Sequence, residues 1–217
     1  IGVTFPHFPG VFYRTYGAHI LSWVSDYLAK TDYVFKLILL KEEGQNWDNY
    51  NFRSGERIDG LIVTHWTKAF SHKKFLEEAN VPSVAINDYE RDLNTYIVYG
   101  DSYQGGRLAA EYLVRKRHRD IGILSGPDWS RDSQQRLAGF CDFLKEKNIP
   151  VNKKGIAKAD FSGSKAYEAT GLLLLDNPKL TAIFSCNDEM AFGCLNKLRE
   201  TGKRCPEDIS LIGFDND

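Results

Sequence analysis

Net charge is nearly absent from this chain: 28 Lys plus Arg stand against 29 Asp plus Glu over 217 residues. A formal charge of −1 supplies no basic field, which argues against a stand-alone nucleic-acid-binding domain; DNA contact would need another segment. Long apolar runs are missing too. The longest, such as Leu37 to Leu40 and Leu172 to Leu175, fall far short of the roughly 18 residues that a membrane span requires. Proline is scarce, seven residues in all, and charge is not blocked, which excludes a disordered or linker-dominated chain. The four cysteines, Cys141, Cys186, Cys194 and Cys205, show no CxxC or Cys/His ligand spacing and read as packed free thiols, which suits a cytoplasmic setting. The five histidines, His7, His19, His65, His72 and His118, form no i, i+4 pair, so no metal is expected. P-loop, HExxH, GxSxG and GxGxxG patterns are all lacking, and no cofactor is implied. Ser71 to Lys74 and Ser162 to Lys165 have a bare SxxK spacing without the SDN and KTG companions of a penicillin-type serine enzyme. The chain is not expected to be an enzyme.

What is present is a regular rhythm. Hydrophobic residues make up 42% of the chain, enough for a real core, and apolar β-rich runs alternate with longer amphipathic stretches. The pattern predicts strands near Ile1 to Phe5, Tyr33 to Leu39, Gly60 to Val63, Ser83 to Ile86, Tyr96 to Val98, Ile121 to Leu124, Gly155 to Ala159, Ala182 to Phe184 and Ile209 to Ile212. Helices are predicted over Phe12 to Ala29, Ser102 to Lys116, Ser133 to Lys147, Lys165 to Leu175 and Asp188 to Glu200, with Gly202 as a left-handed stop. Strands apolar on both faces belong in parallel sheets covered by helices.

The polar stretch Asn87 to Asn94 interrupts this rhythm and marks a boundary. The expected fold is α/β: two Rossmann-like lobes with parallel sheets flanked by helices, residues 1–94 and 95–217, with a crossover near 87–101. One continuous doubly wound sheet is the alternative.

In open parallel sheets, ligands bind beyond the carboxyl ends of the strands, where loops and helix N-termini converge. The residues falling there include Phe8, Thr64, Asn87, Asp88, Phe161, Asn187, Asp188 and Asp215, with Phe12 and Tyr13 close by. Flat apolar rings beside amide and carboxylate groups suit a sugar, whose C–H faces stack while its hydroxyls need donors and acceptors; a nucleobase fits as well. Asp188 reads equally as a helix cap and Asn187 as a turn residue, and part of the Phe12, Tyr13 and Tyr16 stripe reads as core.

Five segments together are specific: Asp101 to Ala109 (DSYQGGRLA), Ile121 to Pro127 (IGILSGP), Arg136 to Phe140 (RLAGF), Thr181 to Gly193 (TAIFSCNDEMAFG) and Pro206 to Asp215 (PEDISLIGFD). In this order and spacing they resemble the effector-binding domain of the lactose-repressor/galactose-repressor family. The resemblance covers the chain from Tyr96 onward and, more loosely, Ile1 to Asn94. It implies a fold like that of periplasmic sugar-binding proteins and a cytoplasmic regulator, a homodimer that senses a small effector between its lobes and contacts DNA through a segment not present here. It also implies further strands and helices beyond Asp217, and material before Ile1, where the chain opens without methionine inside a strand-like run. A solute receptor using the same fold is the alternative.

Position by position, the resemblance implies that Arg136 grips the effector, Phe161 stacks on it, and Asn187 and Asp215 contact it. Thr64 and Asn87 or Asp88 match first-lobe contacts. Asp101 matches a position at which capping and ligand contact are both open. Asp132 stands where the family is often neutral, and Arg117-His118 stands where it usually has Gly-His. The basic run Arg115 to Arg119 reads as a helix C-terminus complementing the macrodipole.

Overall fold

The computed structural model describes residues 1–7, 15–41, 58–64, 76, 80–87 and 95–217. By its own packing the chain divides into two compact units, Ile1–Gly100 and Asp101–Asp217. The first holds strands β1 (Gly2–His7), β2 (Lys36–Lys41), β3 (Leu61–Thr64), β4 (Ser83–Ile86) and β5 (Tyr96–Val98), with helix α1 (Thr15–Leu28). Its sheet has the order β2-β1-β3-β4-β5 with every pair parallel. Val3, Phe5, Ile38, Leu61, Val63 and Ala85 form its buried spine.

The second unit holds α2 (Ser102–Arg115), β6 (Ile121–Ser125), α3 (Arg131–Glu146), β7 (Ile156–Lys158), α4 (Gly163–Asp176), β8 (Ala182–Ser185), α5 (Asp188–Glu200) and β9 (Ser210–Ile212). Its parallel sheet runs β7-β6-β8-β9. The central strands β6 and β8 are buried along almost their whole length, which is why they read as unbroken apolar runs. Phe140 of α3 stacks on Phe184 of β8 with ring centroids 4.5 Å apart. Each of the four helices starts on a polar cap: Asp101 accepts from the Gln104 N–H, Ser130 from Ser133, Ser162 from Lys165 and Asn187, not Asp188, from Met190. Gly202 ends α5 at φ 71°, the left-handed stop.

Two expectations need adjustment. The boundary falls after Gly100 and not after Asn94, because the Tyr96–Val98 strand pairs with β4 and so closes the first sheet. The run Gly155 to Ala159 is strand only from Ile156 to Lys158, since Lys153–Gly155 winds into a 3-10 turn capped by Asn152. The basic run after α2 acts as a helix end, with the Arg119 guanidinium donating to the Val114 carbonyl.

Helices α2 and α3 pack closely because glycines face backbone. A Cβ at Gly139 would lie 2.0 Å from the Tyr103 carbonyl oxygen, and one at Gly106 would lie 2.1 Å from the Arg136 carbonyl oxygen. Gly139→Ala is therefore expected to force the helices apart and lower the unfolding free energy by about 1–3 kcal/mol, the usual cost of overpacking, as read by urea denaturation.

Candidate functional site

In the second unit the chain runs from β6 outward to β7, then back past it to β8, so the strand order reverses between β6 and β8. Such a switch point leaves a crevice at the carboxyl edge. The loops opening there start at Gly126 after β6 and at Cys186 after β8.

Arg136, in the second turn of α3, reaches across this edge. Its Nη1 donates to the Cys186 carbonyl oxygen at 2.7 Å and pairs with Asp215 Oδ1 at 3.2 Å. The guanidinium lies over the Phe214 ring, 3.7 Å from the centroid. Its side chain is only 12% exposed, and its Nε is buried with no hydrogen-bond partner among the described residues. A buried cation without a counter-ion is costly, so this one is held by a carboxylate, a carbonyl and a ring face together.

Asp215 follows β9 in a strained segment, with φ of 107° at Asp215 and 68° at Asn216. Asp188 explains how the segment is held. Its Oδ1 accepts from the Phe214 N–H at 2.8 Å and its Oδ2 from the Asp217 N–H at 2.9 Å. The cap of α5 is Asn187, whose side-chain oxygen accepts from the Met190 N–H at 3.0 Å. Asp188 is thus a clasp on the β9 loop. Burial pushes the Asp215 carboxyl up to about 6; the Arg136 charge opposes this, and the charges of Asp188 and Asp217 add to it.

Phe161 sits after β7 at φ 55°, next to Asp160 at φ 51°. A Cβ on Gly126 would meet the Phe161 ring at 2.5 Å, so the ring rests on bare backbone. Gly126 in turn directs its N–H to the Cys186 thiol, which burial pushes up to about 12 and so keeps protonated. Phe161, Gly126, Cys186, Arg136 and Asp215 therefore form one contiguous group.

Other expected positions are placed as follows. Asp132 lies in the first turn of α3 and accepts from the Ser102 hydroxyl at 2.7 Å. Asp101 caps α2, accepting from the Gln104 N–H at 2.8 Å. Thr64 is 2% exposed and spends its hydroxyl proton on the Thr4 carbonyl, so it retains only acceptor capacity. Asn87 donates to the Tyr16 hydroxyl at 2.6 Å, tying the end of β4 to α1. Phe8, Phe12, Tyr13 and Asp88 lie outside the described residues, as does Ser71 to Lys74. The other SxxK pair is structural: Ser162 caps α4 and Lys165 Nζ binds Asp160 at 2.7 Å. Phe214, Gly126 and the Cys186 carbonyl belong to the group without having been singled out for it. No three His, Cys, Asp or Glu side chains among the described residues are grouped to hold a metal, and no described helix is long and apolar enough to cross a membrane.

Residues 110–217 match the model of a periplasmic binding protein-like domain. The HTH-type transcriptional repressor PurR of Klebsiella pneumoniae (strain 342) is 37% identical over 163 residues, 74% of this chain and 48% of the relative. The chain thus spans about half the length of that relative. Among solved structures, the transcriptional regulator CelR–cellobiose complex is similar with TM-score 0.83 and 25% identity, over 100% of this chain and 68% of that one. A LacI family transcriptional regulator from Enterococcus faecium with bound ribose is similar with TM-score 0.78 and 28% identity, over 99% of this chain and 77% of that one.

The raised Asp215 carboxyl has a consequence for pH. With an ordinary value of 3.8 and a folded value of about 6, the native state holds this proton longer than the unfolded chain. The stability so gained is complete below pH 3.8 and is lost as pH rises through about 6. Carbon-13 NMR of the aspartate carboxyls is expected to show Asp215 titrating near pH 6, and Asp215→Asn to flatten that part of the stability profile.

Proposed function

The chain belongs to the lactose-repressor/galactose-repressor family, and from that premise we propose that it is the effector-sensing module of a transcriptional regulator. In this reading the carboxyl edge of the β7-β6-β8-β9 sheet holds a small sugar or related metabolite. The observation that carries it is the Arg136–Asp215 pair set beside Phe161 at the switch point. The pair offers a fixed donor fork next to a carboxylate, and the ring offers a face for C–H groups. Asn187 joins them from the start of α5, and Asp132 from the start of α3.

The buried thiols of Cys186 and Cys194 are pushed up to about 12 and about 11, so neither is a nucleophile. Ligand binding instead shifts a balance between conformations, and an attached DNA-binding segment in a cytoplasmic homodimer reads that balance out. The relatives named as repressors, and those solved with cellobiose and ribose, support this reading. A helix-turn-helix elsewhere in the full-length protein agrees with it; a secretory signal there overturns it in favour of a solute receptor.

A thermal-shift panel of sugars and purines identifies the effector, because a ligand that binds only the folded state raises its stability. Arg136→Ala, Asp215→Ala and Phe161→Ala are each expected to weaken binding of that effector by about 1–3 kcal/mol in calorimetric titration, the scale of lost charged hydrogen bonds and stacking. Unchanged affinity in all three removes the site assignment.

A further inference from the structure

We propose that the amino edge of the second unit's sheet, the end opposite Arg136, is a contact surface for the phosphate backbone of double-stranded nucleic acid. The inference goes beyond the sensing reading, concerns another face of the unit, and holds or fails without it.

The strands of this sheet are parallel and a helix precedes each, so the four loops that enter them all open at one edge. These loops follow the order of the strands and are tied to one another. The Asn177 side-chain amide donates to the Lys154 carbonyl at 2.9 Å, the Thr181 N–H to the Asp120 carbonyl at 2.9 Å, and the Ser210 N–H to the Thr181 carbonyl at 3.0 Å. Strands about 4.8 Å apart set the four loops in a row about 15 Å long.

The row carries the unit's positive charge. Residues 115–120, 145–155, 176–181 and 199–209 hold twelve Lys and Arg against six Asp and Glu, while the remainder of residues 101–217 holds six against eleven. All twelve cations are exposed. Arg204 pairs with Asp208, and among the described residues none of the other eleven has an ion-pair partner. Two of the six carboxylates are engaged from outside these segments, Glu146 by Arg107 and Glu200 by Lys197.

Helix ends account for only part of this excess. Four helix C-termini supply about half a negative charge each, about two in all, against a surplus of six cations. The dipole also fades beyond the last turn, yet Lys153, Lys154, Lys179 and Lys203 all lie past it. Arg117 is an independent sign. It takes φ 70° after α2, a left-handed position where a side chain is strained and glycine is not; after α5 the corresponding stop is Gly202 at φ 71°. An exposed arginine thus stands in the row where glycine would be easier.

The cations are spread over four loops, and within these segments no large apolar side chain is exposed. A stable protein interface needs an apolar core, and single strands need rings to stack on. A duplex backbone needs only dispersed cations. With one phosphate charge per roughly 1.7 Å of axis, about 15 Å of duplex holds about nine charges, of which about four face the row.

The test follows the fluorescence anisotropy of a labelled duplex of about 20 base pairs and mixed sequence with the 217-residue chain, from about 50 to about 200 mM salt. The expected result is binding whose logarithm falls against log salt with a slope of about −3 to −4, at about −0.9 per phosphate. One cation is then replaced in each loop: Arg117→Gln, Lys154→Gln, Lys179→Gln and Lys203→Gln together. This variant is expected to bind roughly tenfold or more weakly and to flatten the slope by about 2 or more, with its melting temperature unchanged. The charge-keeping set Arg117→Lys, Lys154→Arg, Lys179→Arg and Lys203→Arg is expected to retain the affinity. Absence of duplex binding at the lowest salt, equal binding by the Gln set, or equal loss in the charge-keeping set overturns the proposal. So does poly-L-glutamate that binds as tightly as the duplex at matched charge, which assigns the row to an acidic polypeptide. Each of these outcomes leaves the sensing reading intact.

Discussion

The second unit is organised around one buried cation. Arg136 leaves a helix, crosses the end of the sheet, and is held by a carbonyl after β8, a carboxylate after β9 and the ring of Phe214. Those contacts tie two separate chain segments to one guanidinium carried on a third. Its desolvation is tolerable because charge, hydrogen bond and ring face all act on it together. The close packing of α2 on α3 serves the same end, since Gly106 faces the carbonyl of Arg136 itself. The backbone that carries the cation is thereby fixed to a neighbouring helix with no side chain between them.

The carboxylates around it divide their labour. Asp215 neutralises, and its own burial makes that ionisation costly. Asp188 spends both oxygens on backbone N–H groups and so holds Phe214 and Asp215 where Arg136 meets them. Asp132 and Glu189 complement helix ends. The result is an edge whose carboxylates are already engaged by Arg136, by backbone N–H groups and by helix ends.

Much of this was legible in the sequence, and the reason is local physics. Strand and helix positions follow from apolar periodicity, and the cap at Asp101 is one of the two readings open there, since its side chain can satisfy a helix's first N–H groups. Residue types placed after each strand point to Phe161, Asn187 and Asp215, and the family resemblance alone points to Arg136. What was not legible is non-local. The sequence marks Tyr96 to Val98 as a strand but carries nothing to say which sheet it joins, so a polar stretch just before it passes for a boundary. Asp188 looks like a cap because caps are common there; its partners lie 26 and 29 residues away. The Cys186 carbonyl is invisible to any reading of side chains.

Asp188 also shows why the two roles of a residue must be separated by geometry. Asn187 and Asp188 both favour a helix start, and either carboxylate or amide would satisfy the free N–H groups. Only one position can cap. Once Asn187 fills it, Asp188 is left one residue inside the helix, where its carboxylate gains from the macrodipole and is free to point across to the β9 loop. The loop accepts left-handed backbone at Asp215 and Asn216, a strain of order 1 kcal/mol or more at each residue, because two charge-assisted hydrogen bonds on one carboxylate offset it. That strain turns the Asp215 side chain back toward Arg136. The Arg136–Asp215 contact is therefore assembled by a residue that takes no direct part in it.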